Sequence, residues 1–275
     1  MADFSLADLK TLRERLGTGM VDSKNALVEA GGDLEKATEL LRLKGAKGNA
    51  KRADRSTSEG LVAANESGRT ATLIELDCET DFVAKGDKFV SLGTTVLDAA
   101  VAAGATTVEA ALDATAGTQT VAELISDEAA ILGEKIILRR VFSIEADKFA
   151  IYLHKTNKDL PPQVGVVVGY TGDDEATARS IAQHISFADP QYLSRDDVPA
   201  DVVETERRIV EEISRNEGKP EAALPKIIEG RVTGYFKQVA LLDQDYAKDN
   251  KLSVAKVLAD AGLTVTGFAR FKVGA

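Results

Sequence analysis

Leu6, Leu9, Leu12 and Leu16 recur three or four residues apart, the interval that lines one face of an α-helix, and Ser5 with Asp8 forms the cap pair that starts it. Gly17 and Gly19 are expected to stop the run. A second helix is predicted over 20–30, broken by Gly31-Gly32. Asp33 then caps a third over 34–44, with Leu40, Leu41 and Leu43 on its apolar side. The stretch 44–58 has almost no large apolar residue, many small ones and a basic bias, which reads as a linker. A small three-helix domain over 1–55 is therefore expected.

Beyond the linker the period changes. Segments 60–65 and 69–78 read as strands joined at Glu66-Ser67-Gly68, a hairpin signal. In the second of them Thr72, Ile74, Leu76 and Cys78 alternate with Leu73, Glu75 and Asp77, so cover on more than one side is expected. Helices follow over 83–103, over 108–114 and from Thr120, whose Glu123 completes a capping box. Segments 136–146, 149–155 and 164–170 read as strands, and Asp173-Asp174 suits a helix start. Over 200–235, Val202, Ile209 and Ile213 sit at coiled-coil intervals and Leu224, Ile228 and Tyr235 answer them across a break at Glu217-Gly218-Lys219-Pro220. That pattern predicts an antiparallel helical hairpin. A helix over 253–261 and a strand over 263–273 close a fold of the α+β class.

Composition narrows the function. At 275 residues and 44% hydrophobic the chain has material for about two domains with sizeable cores. The net charge is −10, although residues 1–55 carry 11 basic and 9 acidic side chains, a modest asymmetry. No basic face suited to a phosphate backbone is evident, so protein partners are expected rather than nucleic acid. The start Met1-Ala2-Asp3-Phe4-Ser5 lacks a signal peptide's basic and apolar regions, and no 18-residue apolar run occurs. A cytoplasmic protein without membrane segments is the expectation. One cysteine rules out an internal disulfide, and with only two histidines beside it no zinc-type cluster can be assembled, so no metal or cofactor is expected.

Three features could carry chemistry. Cys78 could be a nucleophile, but it ends an apolar strand, where a free cysteine packs as a small core residue, and neither His154 nor His184 sits in a catalytic context. Gly165-Val166-Val167-Val168-Gly169 looks like a strand feeding a nucleotide loop, yet no G-x-G-x-x-G follows, and Gly218-Lys219 runs into Pro220 rather than Ser or Thr. The third is 76–85, at a strand-to-helix turn. There Thr80 or Asp81 can cap the helix and Phe82 falls in its first turn, where the plain reading is a core residue. Asp77, Glu79 and Asp81 make a phosphate site there unsuitable.

Three separated signatures resemble one family, elongation factor Ts, the nucleotide exchange factor of the GTPase elongation factor Tu. They are Leu12-Arg13-Glu14-Arg15-Leu16-Gly17-Thr18-Gly19-Met20 running on through Ala26-Leu27 to Gly32-Asp33, then Cys78-Glu79-Thr80-Asp81-Phe82-Val83-Ala84-Lys85, then Val265-Thr266-Gly267-Phe268-Ala269-Arg270-Phe271. The resemblance implies an amino-terminal three-helix domain of the ubiquitin-associated type over 1–55. A core of two similar α+β subdomains would follow, over 56–141 and 142–275, with a coiled-coil hairpin inserted in the second at about 200–235.

The resemblance also implies a role without bond chemistry. Thr80, Asp81, Phe82 and Val83 would insert beside the Mg²⁺ site of elongation factor Tu and loosen GDP, the partner being met both GDP-bound and nucleotide-free. Arg13, Met20 and Val21 would meet a helix of its nucleotide domain, and His154 would lie in a second contact region. On the residues alone these are a solvated charge, two core residues and a strand surface residue. Some longer members continue past the motif matching Phe268 to Val273 into an extra helical module, and with Ala275 as the last residue here no contact from such a module is expected. A ribosome- or ubiquitin-type adaptor, suggested by the helical amino-terminal domain, is the competing expectation.

Overall fold

The computed structural model of the protein describes residues 4–16 and 18–275. Gly17, expected to end the first helix, and the first three residues lie outside that range. Helices α1 (Leu6–Leu16), α2 (Met20–Glu29) and α3 (Leu34–Lys51) close on a core of Leu9, Leu12, Ala26, Leu27, Ala37 and Leu41. Ser5 and Asp8 exchange cap hydrogen bonds, and Asp33 accepts from the amides of Glu35 and Lys36. One expectation fails here: α3 runs seven residues past Lys44, so only 52–58 connects to the rest. The small residues read as a linker serve a helix contact instead. At Gly45 a β-carbon would lie 2.7 Å from that of Ala130, so α3 can lie this close to its neighbour only without a side chain there.

Strands β1 (Glu59–Ser67) and β2 (Thr70–Cys78) form the expected hairpin, pairing Ser67 with Thr70 and Glu59 with Cys78. The helix expected over 83–103 is two, α4 (Asp81–Ala84) and α5 (Asp87–Ala102), because Gly86 takes an extended conformation as the N-cap of the second. Helix α6 (Val108–Asp113) leads to a ribbon of β3 (Thr115–Ala116) and β4 (Gln119–Thr120), then α7 (Val121–Leu132), which starts at the Thr120–Glu123 capping box. It is α7 that carries Ala130. Strand β5 (Ile137–Glu145) completes an antiparallel sheet in the order β1-β2-β5.

The second half repeats the plan. β6 (Lys148–His154), β7 (Val164–Thr171) and α8 (Glu175–Ala188), capped by Asp174, come first. Helices α9 (Ala200–Asn216) and α10 (Leu224–Val239) follow, then a ribbon of β8 (Asp245–Tyr246) and β9 (Asp249–Ser253). Helix α11 (Val254–Asp260), capped by Ser253, and β10 (Thr264–Lys272) finish the chain, and the second antiparallel sheet has the order β10-β7-β6. In both halves a short ribbon delivers a hydroxyl cap followed by Val-Ala: Thr120-Val121-Ala122 and Ser253-Val254-Ala255. Hydrophobic periodicity alone did not reveal that repeat.

The sheets face each other. Val62, Leu73, Phe142 and Ile144 of the first meet Val167, Ala269 and Phe271 of the second. On its outer face the first sheet packs Leu61, Ile74, Leu76 and Cys78 against α5, α6 and α7. The second packs Val166, Val168 and Tyr170 against α8 and α11. β2 is thus covered on both sides, as apolar residues on both of its faces implied, and the glycines flanking Val166-Val167-Val168 are where the sheets touch. At Gly165 a β-carbon would lie 2.9 Å from Leu73 Cδ1 and 3.0 Å from Val62 Cγ2.

The helical hairpin keeps Leu224 and Ile228 in its seam as expected, but on α9 and at the end of α10 the seam lies one residue from the expected positions. Val210 and Ser214, with Val203, face Leu224, Ile228, Val232 and Phe236, while Ile209 and Ile213 stay exposed and Tyr235 lies beside the seam. A shift of one residue is 100° around a helix, so two adjacent stripes competed for the reading. The seam could take a polar residue because the buried Ser214 hydroxyl donates to the carbonyl of Val210 at 2.6 Å.

Two carboxylates, Glu75 and Asp77, are fully buried on β2. A bulge in β5 lets consecutive arginines reach them: Arg140 pairs with Glu75, and Arg139 lies 3.7 Å from Asp77. Burial, aided by the Glu75 charge, pushes the Asp77 carboxyl up to about 7.

Gly165→Val should lower stability by about 1–3 kcal/mol through overpacking at the sheet seam, read as a drop in the urea midpoint; an unchanged midpoint would contradict close sheet contact. Asp77 sets a pH dependence. The folded state keeps a proton that the unfolded chain releases near 3.8, so this contribution is full below that pH and is lost as pH rises toward 7. Asp77→Asn should therefore gain on the wild type in urea midpoint between pH 5 and 8. A constant difference would show that Asp77 is already ionised in the fold.

Candidate functional site

The end of β2 leads directly into the turn singled out in the sequence. Thr80 has extended backbone and caps α4, its Oγ1 accepting from the amide of Val83 at 3.4 Å. A four-residue helix cannot sustain itself by its own hydrogen bonds. Its inner side is anchored by Val83 and Ala84, both in the core beneath α5 and β1. Expected as one functional stretch, these four positions split: Thr80, Asp81 and Phe82 are exposed, whereas Val83 turns inward, because the roughly 100° step between successive helical residues carries Val83 round to the core side.

Phe82 is 75% exposed, so the plain reading of a core phenylalanine is wrong. Phe89, one turn into α5, fills the core place. Asp81 pairs with Lys85 at 3.5 Å, and the Lys85 ammonium lies 5.7 Å from the centre of the Phe82 ring. Glu79 is held beneath them. Burial works to raise its pKa, but the Lys135 amide and the Arg55 guanidinium outweigh that and keep the carboxyl below the usual range. The turn thus presents an exposed apolar ring with the Asp81–Lys85 pair beside it.

The other expected residues lie on different elements. Met20 and Val21, at the start of α2, are 53% and 70% exposed, which removes their alternative reading as core residues. Arg13 is exposed on α1. His154 ends β6, an edge strand of the second sheet, where it is exposed and stacks on Tyr152, with the Tyr152 hydroxyl 3.1 Å from Nδ1. These positions form a discontinuous surface rather than a cavity. A groove of about 630 Å³ between α3 and α7, lined by Arg15, Arg42, Gly45, Asp127 and Ala130 among others, contains none of them.

Cys78 and His184 have structural surroundings. The thiol is fully buried, lies 3.4 Å from the carbonyl oxygen of Thr80 and is pushed well above its ordinary pKa by burial, so a thiolate nucleophile is disfavoured. In buried His184, Nδ1 accepts from the Ala247 amide at 3.1 Å and Nε2 donates to Gln244 Oε1 at 2.8 Å. Burial lowers its pKa, which keeps the ring neutral as a link between α8 and the β8-β9 ribbon. Among the described residues no group of three or more His, Cys, Asp and Glu side chains is gathered as metal ligands would be, and no helix is long and apolar enough to cross a membrane.

Sequence reasoning found the turn but not what holds it. The carboxylate of Glu134, between α7 and β5, accepts from the amides of Glu79 at 3.0 Å and Thr80 at 3.1 Å. No motif marks this residue, since it acts across 54 positions of chain.

A family model described as Elongation factor TS matches residues 79–275, starting at this turn. The chain is 75% identical over 276 residues to elongation factor Ts of Leifsonia xyli subsp. xyli (strain CTCB07), spanning all of both chains. It is 74% identical to that of Clavibacter sepedonicus and 53% identical to that of Tropheryma whipplei (strain Twist), again over the full length of each. With agreement at this level along its whole length, the chain belongs to the elongation factor Ts family and has the role of a translation elongation factor.

Proposed function

We propose that this protein binds elongation factor Tu carrying GDP and promotes release of the nucleotide by disturbing the partner's Mg²⁺ site, leaving a nucleotide-free complex that GTP can enter. The observation that carries the reading is the exposed Phe82 on a capped turn beside the Asp81–Lys85 pair. An exposed aromatic side chain on a fixed turn can be buried in a partner with little loss of conformational freedom. Mg²⁺ and the phosphates hold each other, so an apolar wedge flanked by Asp81 that disturbs the ion leaves phosphate charge uncompensated. No bond is made or broken in this chain, and the reaction needs no catalytic base or cofactor of its own. Val83 enters this mechanism only as the inward anchor of the turn.

Magnitudes divide the work. Burying a phenylalanine contributes about 1.5–3 kcal/mol, which corresponds to a roughly 10- to 150-fold weakening of nucleotide binding if fully expressed. Factor and nucleotide weaken each other by one reciprocal coupling free energy. Any larger acceleration draws on other contacts, and exposed Arg13, Met20 and Val21 on the helical domain (1–55) and His154 on the second sheet are the surfaces for them. In this reading 56–141 carries the turn, and 142–275 carries the second contact and, at about 200–235, an inserted coiled-coil hairpin. The setting is the cytoplasm, with neither nucleic acid nor membrane as a direct partner.

Phe82→Ala should slow factor-stimulated release of fluorescent GDP from elongation factor Tu by about 10- to 150-fold. Stability should change by no more than about 0.5 kcal/mol, since the ring is exposed. Equal release rates for variant and wild type would sink the assignment. Met20→Ala/Val21→Ala should instead raise the factor concentration needed for half-maximal release several-fold, and an unchanged titration would remove α2 from the contact surface.

A further inference from the structure

The turn that presents Phe82 is gripped by two carboxylates working in opposite directions across adjacent chain segments. Glu134 Oε2 accepts from the amides of Glu79 at 3.0 Å and Thr80 at 3.1 Å, and its Oε1 accepts from the Thr80 hydroxyl at 2.5 Å. In return Glu79 Oε1 accepts from the amide of Lys135 at 2.6 Å, while Arg55 lies 3.0 Å from Glu79 Oε2. Lys135 Nζ donates to the carbonyls of Ala53 at 2.6 Å and Arg55 at 3.0 Å, which brings the chain arriving from the helical domain into the same network.

Glu134 is placed against the electrostatic gradient. Glu79 and Asp81 already stand at this end of β2, and a further carboxylate there is unfavourable unless its hydrogen bonds require it. Three donors from two successive residues supply that requirement, and charge-assisted bonds are the strong ones. The Thr80 hydroxyl has a single proton. With that proton committed to Glu134, its lone pairs are left to face the Val83 amide, so the orientation of the N-cap is set from outside the helix. The helix is four residues long; Val83 and Ala84 anchor its inner side, and the Thr80 side chain is the cap at its N-terminus, so the direction of Phe82 depends on how that cap is held.

We propose that Glu134 is a positioning residue for nucleotide release, holding the Thr80 cap so that Phe82 is presented in one direction. This rests on the exchange reading of Phe82, and Lys135 supports it from the other side by fixing Glu79. Glu134 touches neither partner nor nucleotide in this scheme. It acts only through the turn.

Two measurements on the full chain test it. The first needs no partner: amide hydrogen exchange at Glu79 and Thr80 should be protected in the wild type, lost in Glu134→Ala and kept in Glu134→Gln, whose amide oxygen can still accept from both. The second is stimulated GDP release from elongation factor Tu across Glu134→Ala, Glu134→Gln, Phe82→Ala and Glu134→Ala/Phe82→Ala. Glu134→Ala should lower the maximal rate by roughly five- to tenfold, the net scale of one ordinary hydrogen bond, with the half-saturating concentration unchanged. Glu134→Gln, which keeps an acceptor for the two amides but presents an NH2 to the Thr80 hydroxyl, should recover the rate only in part, and in the Phe82→Ala background Glu134→Ala should add nothing.

A full rate for Glu134→Ala beside a slow Phe82→Ala would overturn the positioning role and leave the exchange reading intact. The same factor lost in both backgrounds would also overturn it, since Glu134 would then act independently of Phe82. If Phe82→Ala itself releases GDP at the wild-type rate, the exchange reading fails and the positioning role falls with it. Should Glu134→Ala not fold, Glu134→Asp keeps the charge but withdraws it by one methylene, and the same loss of rate and protection is expected of it.

Discussion

The burial of β2 on both faces is the constraint on which the rest of the structure depends. One face packs Ile74, Leu76 and Cys78 under the helices of the first half, and the other sets Leu73 against the second sheet. A strand held from both sides cannot slide, since a one-residue slip would exchange its two faces. Its carboxyl end is therefore a fixed point, and the turn from Glu79 to Val83 projects from it. The close approach of the second sheet at Gly165 serves the same end, because any side chain there would push Leu73 and Val62 away.

Charge on β2 is arranged in two regimes. Inside, Glu75 and Asp77 are buried with Arg139 and Arg140 at a bulge, and the cost of desolvation is taken largely by raising the affinity of Asp77 for its proton. At the strand end the carboxylates of Glu79 and Glu134 accept from backbone amides, and against the effect of burial those bonds, with Arg55, hold Glu79 below the usual carboxylate range. One strand thus passes from a proton-holding interior to an anionic rim within four residues. Phe82 stands just beyond that rim, and its apolar surface is withheld from the core while Phe89 fills it.

Local signals were legible wherever a few adjacent residues decide the outcome. The caps at Asp33, Thr120, Asp174 and Ser253, the hairpin at Gly68 and the two-sided alternation of β2 all follow from near neighbours. The turn over 80–83 was located the same way, yet the residues alone favoured a buried Phe82. Whether Phe82 or Phe89 enters the core depends on how Gly86 breaks the helix, and both choices satisfy local propensity. The α9 side of the hairpin seam was misplaced for a related reason: two neighbouring stripes were both apolar enough, and only the partner helix selects one.

By itself the sequence determined the α+β class, the order of most elements and, through three motifs, the family. Each of these rests on periodicity or on residue types at short, fixed spacing. Tertiary structure alone decided that Gly45 belongs to a helix contact, that Val83 faces inward while Phe82 faces out, and that Glu134 grips the turn from 54 residues away. These outcomes depend on contacts between segments far apart in the chain. Such contacts leave no period in the sequence because the partner residue sits at no fixed interval.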